Sequence, residues 1–573
     1  MQQKQPEFDS IRAWDRLSSA LDVRQSCVLV ALGLVVLSSC TPTQYQEWAD
    51  REAYTILFSK SELVENVDYD SVSLGTGEPA ETEKIEIRGA YGAYLAETIV
   101  TGSDSRILSL DDALSTSVRR GRSYLNEKER VFLSALDLTL ARHRLAPIFS
   151  IDGDVLRAGD SRQAQALTNL VSTNTFSRTR SAGFDMLYRT GARISADFTQ
   201  DFLRFITGTR SINESDLAVS LVQPLLQGAG TTVTLEALTQ QERVVLYDLR
   251  DFADFRRAFI VDVVSDYYGV LQARDRIENA RLAYQGFLAS VEQAEAFAEE
   301  GKITKAQLGQ LQQAALQAES RLINTTRVFE TQLDQFKLFI GLPVADSLTL
   351  DQSELGQLVI EPVEISREEA VRIALVSRPD LATANDVVED AERGIKVARN
   401  GLLPGLDVSV DYNARSDPGD TTPAINFERR RWATSLDFDL PLDRKAERND
   451  YRASRIFLDR ARRSRDLNFD QARISIYDAW RAIEQAEQNF EIAEKGVELA
   501  SDRLEEQQLL AELGRGNARD LIDAQNDLLD AKNQRTSTLV DHALARLRLW
   551  RDMGILYIKS DGSWAKRLAR ESD

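Results

Sequence analysis

The chain is written twice. Ser109-Leu110-Asp111-Asp112-Ala113-Leu114 aligns with Ser366-Arg367-Glu368-Glu369-Ala370-Val371 at an offset of 257, which sets Ala113 on Ala370. The same offset carries Leu145-Ala146-Pro147 onto Leu402-Leu403-Pro404. Beyond that point Gln223-Pro224-Leu225 corresponds to Leu440-Pro441-Leu442 at an offset of 217. The pairs Gly301/Gly514 and Gly341/Gly554 follow at 213. Matches that keep their order and nearly keep their spacing indicate one structural unit used twice. The fall from 257 to 217 leaves the first copy 40 residues longer between its two prolines, 77 against 37. Residues 106–345 form the first repeat, 346–364 a linker, 365–555 the second repeat and 556–573 a C-terminal tail.

Each unit reads as helix, strand pair, very long helix, helix, with strand regions at about 147–226 and 404–441. In the second copy Leu406, Val408, Val410 and Tyr412 alternate with Asp407, Ser409, Asp411 and Asn413. The return strand sets Trp432, Leu436, Phe438 and Leu440 against Ala433, Ser435, Asp437 and Asp439. Period-two alternation gives one apolar and one polar face; a membrane barrel and a soluble sandwich share that pattern. In the first copy Leu217, Val219, Leu221 and Leu225 form one such face, and Ile194, Ala196 and Phe198 suggest another strand. The 40 extra residues are either added strands or a surface excursion, and periodicity leaves both open.

The long helices carry heptads. With Phe469 as position a, the series continues through Ile476, Ile483, Phe490, Val497 and Leu504, and every d position between them is alanine: Ala472, Ala479, Ala486, Ala493 and Ala500. From Val245 to Ala298 in the first copy, Arg256 and Asp266 are the only a/d positions that are not apolar. Sustained heptads mean helix against helix, and an alanine layer lets backbones approach closely. Residues 231–300 would make a rod of about 105 Å at ~1.5 Å per residue. No single globular core holds such a rod, so it packs laterally in a bundle or tube.

Composition removes several functions. Lys+Arg 70 against Asp+Glu 90 gives a net charge of −20 over 573 residues, and phosphate binding wants a basic face, so no nucleic-acid partner is expected. His143 and His542 are the only histidines, and Cys27 and Cys40 the only cysteines. That leaves little from which to build a metal site or a thiol nucleophile, and no cofactor is expected. Gly301-Lys302-Ile303-Thr304 imitates the end of a phosphate loop, but Ala296 stands where the leading Gly is required. Arg519-Asp520-Leu521 imitates a kinase catalytic loop, yet Gln525 stands where its Asn belongs. Arg142-His143-Arg144 has no acidic or cysteine companion nearby in sequence. No catalytic residue is assigned, and the chain reads as no enzyme.

Residues 28–39 are an apolar run too short to span a bilayer, which needs ~20 residues, but suited to a secretory signal. Leu37-Ser38-Ser39-Cys40 resembles the lipobox of bacterial lipoproteins, which implies that Cys40 is acylated and becomes the mature N-terminus. Residues 1–39 are then a signal region and 40–105 a lipidated extension. Thr41 rather than Asp after the cysteine implies sorting to the outer membrane. Cys27 would leave with the signal, so no disulfide is expected. Residues 1–22 carry three basic and four acidic side chains, a poor signal n-region, which places the expected translation start near Val23. Tyr45–Phe58 is expected as a short helix and 59–105 as linker or wrapping chain.

Together these features resemble a TolC-type outer-membrane efflux protein over residues ~106–555. Arg378-Pro379-Asp380-Leu381, then Ala391, Ala398 and Leu403-Pro404, follow that family's pattern for a repeat's first helix. Gln223-Pro224-Leu225-Leu226-Gln227-Gly228 looks like its strand-to-long-helix junction. Gly514 to Leu521 with Asp523-Ala524-Gln525-Asn526, and Gly301 to Leu308, look like its helix reversals at the periplasmic tip. Arg122 stands where Pro379 falls in the second copy, so the first opening helix is expected to be straighter. The resemblance implies a mainly α chain with a membrane β-barrel: a homotrimeric α-helical tunnel joined to a barrel shared by the subunits, four strands from each in a ring of twelve. It implies a passive duct in the outer membrane, opened when a periplasmic adaptor and an inner-membrane pump of RND or ABC type dock. Asp407, Asp411, Asp437 and Asp439 would then face the lumen. Glu299, Glu300, Gly301 and Lys302 at one reversal, and Glu512, Gly514, Arg515, Arg519 and Asp520 at the other, are the gate candidates. A soluble coiled-coil scaffold or adhesin is the alternative; it explains the heptads but not two strand regions at matching places.

Overall fold

The computed structural model describes residues 41–74, 106–163, 170–205, 211–363, 365–417, 424–513 and 515–566. The signal region, Cys40, residues 75–105 and Gly514 lie outside them. The chain begins with α1 (Pro42–Ser61) and a turn, α2 (Tyr69–Val72). The first repeat runs β1 (Arg106–Leu108), α3 (Leu110–Arg120), α4 (Arg122–His143), β2 (Ile148–Gln163), β3 (Leu170–Leu187), β4 (Arg193–Phe205), β5 (Ser211–Pro224), α5 (Thr231–Thr234), α6 (Glu236–Glu299) and α7 (Lys305–Phe339). Then come β6 (Leu348–Leu350) and α8 (Ser353–Gly356). The second repeat runs α9 (Arg367–Ser377), α10 (Pro379–Gly401), β7 (Gly405–Arg415), β8 (Asn426–Asp439), α11 (Lys445–Glu512) and α12 (Ala518–Asp552), and a small hairpin, β9 (Leu556–Ile558) with β10 (Trp564–Lys566), follows.

The two copies are alike in chemical detail. Ser109 caps α3 by accepting the Asp112 amide at 3.2 Å, and Ser366 caps α9 by accepting the Glu369 amide at 3.3 Å. Such caps satisfy amides that a helix start leaves free. Both opening helices break at the same place. Arg378 leaves helical geometry at ψ 121, as the residue before a proline is pressed to do. Gly121 does the same at ψ 117 without any proline, so the expectation of a straighter first helix is corrected. Gly121 supplies the break itself, since a Cβ there would lie 2.3 Å from the Ser117 carbonyl oxygen. The breaks receive the ends of the return helices. Gly341 (φ 82) and Gly554 (φ 76) close α7 and α12 in the left-handed region. A Cβ at Gly341 would meet the Arg120 carbonyl at 2.2 Å, and one at Gly554 the Ser377 carbonyl at 2.9 Å. The duplicated glycines therefore mark a duplicated helix-on-break contact.

The strand region departs from expectation in number. β2, β3, β4, β5, β7 and β8 form one six-stranded sheet in that order, each strand antiparallel to its neighbours. The first repeat contributes four strands rather than a pair, so the 40 extra residues are an added hairpin's worth of sheet. Four strands per subunit, as the resemblance implied, is corrected to six. The linker and tail are also more ordered than expected: β6 pairs in parallel with β1, and β9 packs beside α6.

The helices hang from one end of this sheet. α6 has 64 residues and α11 has 68, each about 100 Å long at ~1.5 Å per residue. The main core forms midway along α6, where Tyr124, Phe252, Phe259, Tyr267, Phe336 and Leu138 are buried. α1 joins it through Ala53, Ile56 and Leu57. Among the described residues no helix is long and apolar enough to cross a membrane.

Candidate functional site

Two regions carry the candidate residues, one at each end of the molecule. In the sheet, pairing fixes which residues share a face, because successive side chains point to opposite sides. Leu406 stands across from Phe438, Val408 from Leu436 and Tyr412 from Trp432. The same face continues through Leu217, Val219 and Leu221 on β5, Ile194, Ala196 and Phe198 on β4, Phe184 and Met186 on β3, and Phe149 and Ile151 on β2. These side chains have no core to fill: Phe149 is 77% exposed, Ile151 81% and Trp432 70%. From Leu406 to Tyr412 the apolar stretch is about 20 Å along the strand at ~3.4 Å per residue. Aromatic rings lie at both limits, with Phe149, Phe184 and Phe438 toward the helices and Tyr412 and Trp432 at the far side. Farther still from the helices the face turns basic, with Arg157 on β2, Arg178 and Arg180 on β3 and Arg430 on β8. An apolar band edged by aromatics is what the hydrocarbon layer requires of a strand's outer face.

The opposite face carries the four carboxylates named from sequence. Asp407 stands directly across from Asp437, and Asp439 across from Gly405. Asp411 accepts a hydrogen bond from Ser220 Oγ at 2.7 Å, and the Ser409 and Ser435 hydroxyls meet at 2.6 Å. Sequence reading missed that this face continues across the first repeat. Asp152 and Asp154 on β2, Asp185 on β3, Asp197 and Asp201 on β4, and Glu214 and Asp216 on β5 share it. The weaker alternation of those strands hid them. The face also carries cations, among them Arg193, Arg415, which reaches Asp216 at 3.5 Å, and Arg431.

The helix reversals lie at the other end. α6 ends at Glu299, and Gly301 turns the chain with φ 75 while the Lys302 amide donates to the Phe297 carbonyl at 2.8 Å. Lys302 pairs with Glu300, and its ammonium sits 5.1 Å from the Phe297 ring centre. Thr304 and Gln307 then form a reciprocal cap that starts α7. In the second copy the Arg515 amide donates to the Leu510 carbonyl at 3.0 Å, and Asn517 caps α12 by accepting the Arg519 amide at 3.2 Å. Gly516 is a packing position, since a Cβ there would lie 2.8 Å from the Ala511 Cα. The two reversals are packed together: Ala294 and Leu311 bury against Ala518 and Leu521, with Ile303, Leu308 and Ala511 around them. Glu299, Glu512, Arg515, Arg519 and Asp520 are exposed and, among the described residues, form no ion pair within the subunit.

Between these ends two polar features escaped the heptad reading. Arg256 is completely buried on α6. Its guanidinium donates to the carbonyls of Asn66 (2.5 Å), Ile558 and Lys559 (both 3.1 Å), so it ties the N-terminal extension and the C-terminal hairpin to the rod. Asn66 completes the tie by accepting the Ile558 amide at 2.9 Å. Nearer the sheet, α6 and α10 are joined by charge. Arg250 meets Asp386 at 2.6 Å, and Arg243 meets Glu389 at 2.7 Å and Asp390 at 3.0 Å. Arg393 meets Glu236 at 3.1 Å. Burial and the bond to Asp390 push the Tyr247 phenol well above its usual pKa, so it stays a donor.

Comparison with known proteins agrees with this layout. Residues 370–551 match the family described as "Outer membrane efflux protein". The fold is similar to the CmeC outer membrane channel of Campylobacter jejuni (TM-score 0.59, 13% identity, 78% of this chain and 85% of that one). It is similar to CusC (TM-score 0.58, 14% identity, 79% and 94%). It is likewise similar to the outer membrane protein VceC of Vibrio cholerae (TM-score 0.56, 14% identity, 78% and 96%). No curated protein matches the chain in sequence. The chain thus has the fold of the TolC-type outer-membrane efflux channels, and its second repeat carries their sequence signature.

Proposed function

We propose that this protein is the outer-membrane duct of a tripartite export system. Three copies surround one passage, the sheets crossing the outer membrane and the helices lining a tunnel through the periplasm. Cys40 carries a lipid anchor in the same membrane. The duct is passive: a periplasmic adaptor and an inner-membrane pump of RND or ABC type dock at the packed reversals, and the pump supplies the energy. The observation that carries this reading is the continuity of a sheet having one apolar and one acidic face with helices about 100 Å long. A coiled-coil scaffold would have no use for an apolar belt facing outward.

The exposed charges at the reversals suit a contact made between chains, either between subunits in the closed state or with the adaptor in the open one. Envelope pull-down with the tagged full-length protein tests the partner assignment. The reading expects an elongated periplasmic adaptor to be retained by wild type. Reversing charge at Lys302, Arg515 and Arg519 together should cut its recovery at least tenfold while the assembly keeps its mass. Retention of no adaptor by wild type, or undiminished retention by the triple variant, would contradict it.

A further inference from the structure

The six-stranded sheet has two open edges, β2 and β8. Both carry the apolar belt to the rim. Phe149, Ile151 and Val155 on β2 are 60–81% exposed, and Trp432, Leu436 and Phe438 on β8 are 62–70% exposed. In hydrocarbon an open edge would strand a row of amides and carbonyls, so the edges must find partners. Six strands cannot close on themselves around water, because even about eight leave an interior that side chains fill. The partner is a further copy of the same chain. An even number of antiparallel strands makes β8 of one copy run antiparallel to β2 of the next, with both apolar faces outward.

The added hairpin belongs to this wall and is not an excursion from it. β3 and β4 pair continuously from Thr175↔Phe205 to Leu187↔Arg193. Their connecting turn is locked onto the strand-to-helix junction. The Gly230 amide donates to the Thr190 carbonyl at 3.0 Å, and Thr190 Oγ1 donates to Gln223 Oε1 at 2.9 Å. Gly191 (φ 93) fits there because a Cβ would lie 2.7 Å from the Gly228 carbonyl oxygen.

We infer that the edges join β8 to β2 around the ring. Resting on the trimeric reading above, three copies of the six-stranded sheet close a barrel of eighteen strands in place of the twelve implied by the family resemblance. Barrel diameter grows roughly linearly with strand number, so this vestibule is about 1.5 times as wide as a twelve-stranded one and stays open to water. The narrow part of the passage then lies in the helical tunnel, and the outer portal admits bulkier molecules than the tunnel delivers.

Cysteine pairing in the full-length protein tests the closure. Cys27 and Cys40 are the chain's only cysteines, so introduced pairs report cleanly. Ser435→Cys is combined in turn with Ser150→Cys, Asp152→Cys and Asp154→Cys, three positions on one face of β2 that cover the possible registers. A matching set combines Ser435→Cys with Ser195→Cys, Asp197→Cys and Thr199→Cys on β4, the edge that a twelve-stranded ring would use. Oxidation should shift at least one β8–β2 variant from monomer to covalent dimer and trimer on denaturing gels, and leave every β8–β4 variant monomeric. A trimeric particle in which β8 links to β4, or to neither strand, overturns the proposal. Particle mass is read independently for each variant. A ring of other than three copies would overturn the count of eighteen and the trimeric reading, while the β8–β2 link would still report how the edges close.

Discussion

Arg256 occupies a heptad position that pattern alone marks as a flaw, and it is the most informative side chain in the rod. An isolated buried cation would be costly, but this one spends its hydrogens on three carbonyls from the two ends of the chain. Arg256→Met keeps the bulk and removes the donors. It should cost about 2–4 kcal/mol and free the C-terminal hairpin, seen as a lower melting temperature and rapid proteolysis near residue 560. His542 shows the opposite economy. Its side chain is buried, neither ring nitrogen has a hydrogen-bond partner among the described residues, and Glu487 stands 3.7 Å away. Burial lowers its pKa, more than Glu487 raises it. The neutral ring is therefore favoured by folding, so its contribution is complete above the ordinary histidine pKa of about 6.5 and is lost as pH falls below that value. Wild type should melt at a lower temperature at about pH 5 than at about pH 7.5. His542→Leu should narrow that difference, and an unchanged difference would show that other groups set the acid sensitivity.

At the scale of elements, the heptads were legible because packing in a rod repeats one physical demand many times. Ala472, Ala486, Ala493 and Ala500 are buried as the alanine layer requires, and α11 and α12 pack along their length. Ala486→Leu should overfill that layer, cost about 1–3 kcal/mol and lower the yield of assembled particle on a sizing column. Strand regions and helix ends were legible too, since alternation and glycine pairs are local signals. Two things were not. The first copy breaks at Gly121, the counterpart of Arg378, without the proline that follows in the second copy, and a lone glycine announces no kink. The first repeat's strands alternate less cleanly than β7 and β8, interrupted on the outward face by Gly153 on β2, Gln200 on β4 and Ser215 on β5. The acidic residues of those strands became readable only once register placed them on the face of Asp407 and Asp411. At the second reversal Gly516 lets the backbone pack against Ala511.

For the whole molecule, net charge −20 is not spread evenly in its consequences. The sheet's polar face gathers carboxylates from both repeats, and on the proposed reading a water-filled vestibule walled largely by one sign of charge concentrates counter-ions. Asp407 and Asp437, directly opposed, have no cation between them on their own strands. Changing Asp407, Asp411, Asp437 and Asp439 together to Asn should leave assembly intact and move the reversal potential in a salt gradient toward zero. Conductance of the purified wild-type protein in a planar lipid bilayer tests the central claim most directly. The account predicts discrete channels that prefer cations, with openings made more frequent by Arg515→Ala and Arg519→Ala and more so at low salt, where pairs between chains are least screened. Protein that enters the bilayer without forming channels, or that stays out of it altogether, would contradict the account.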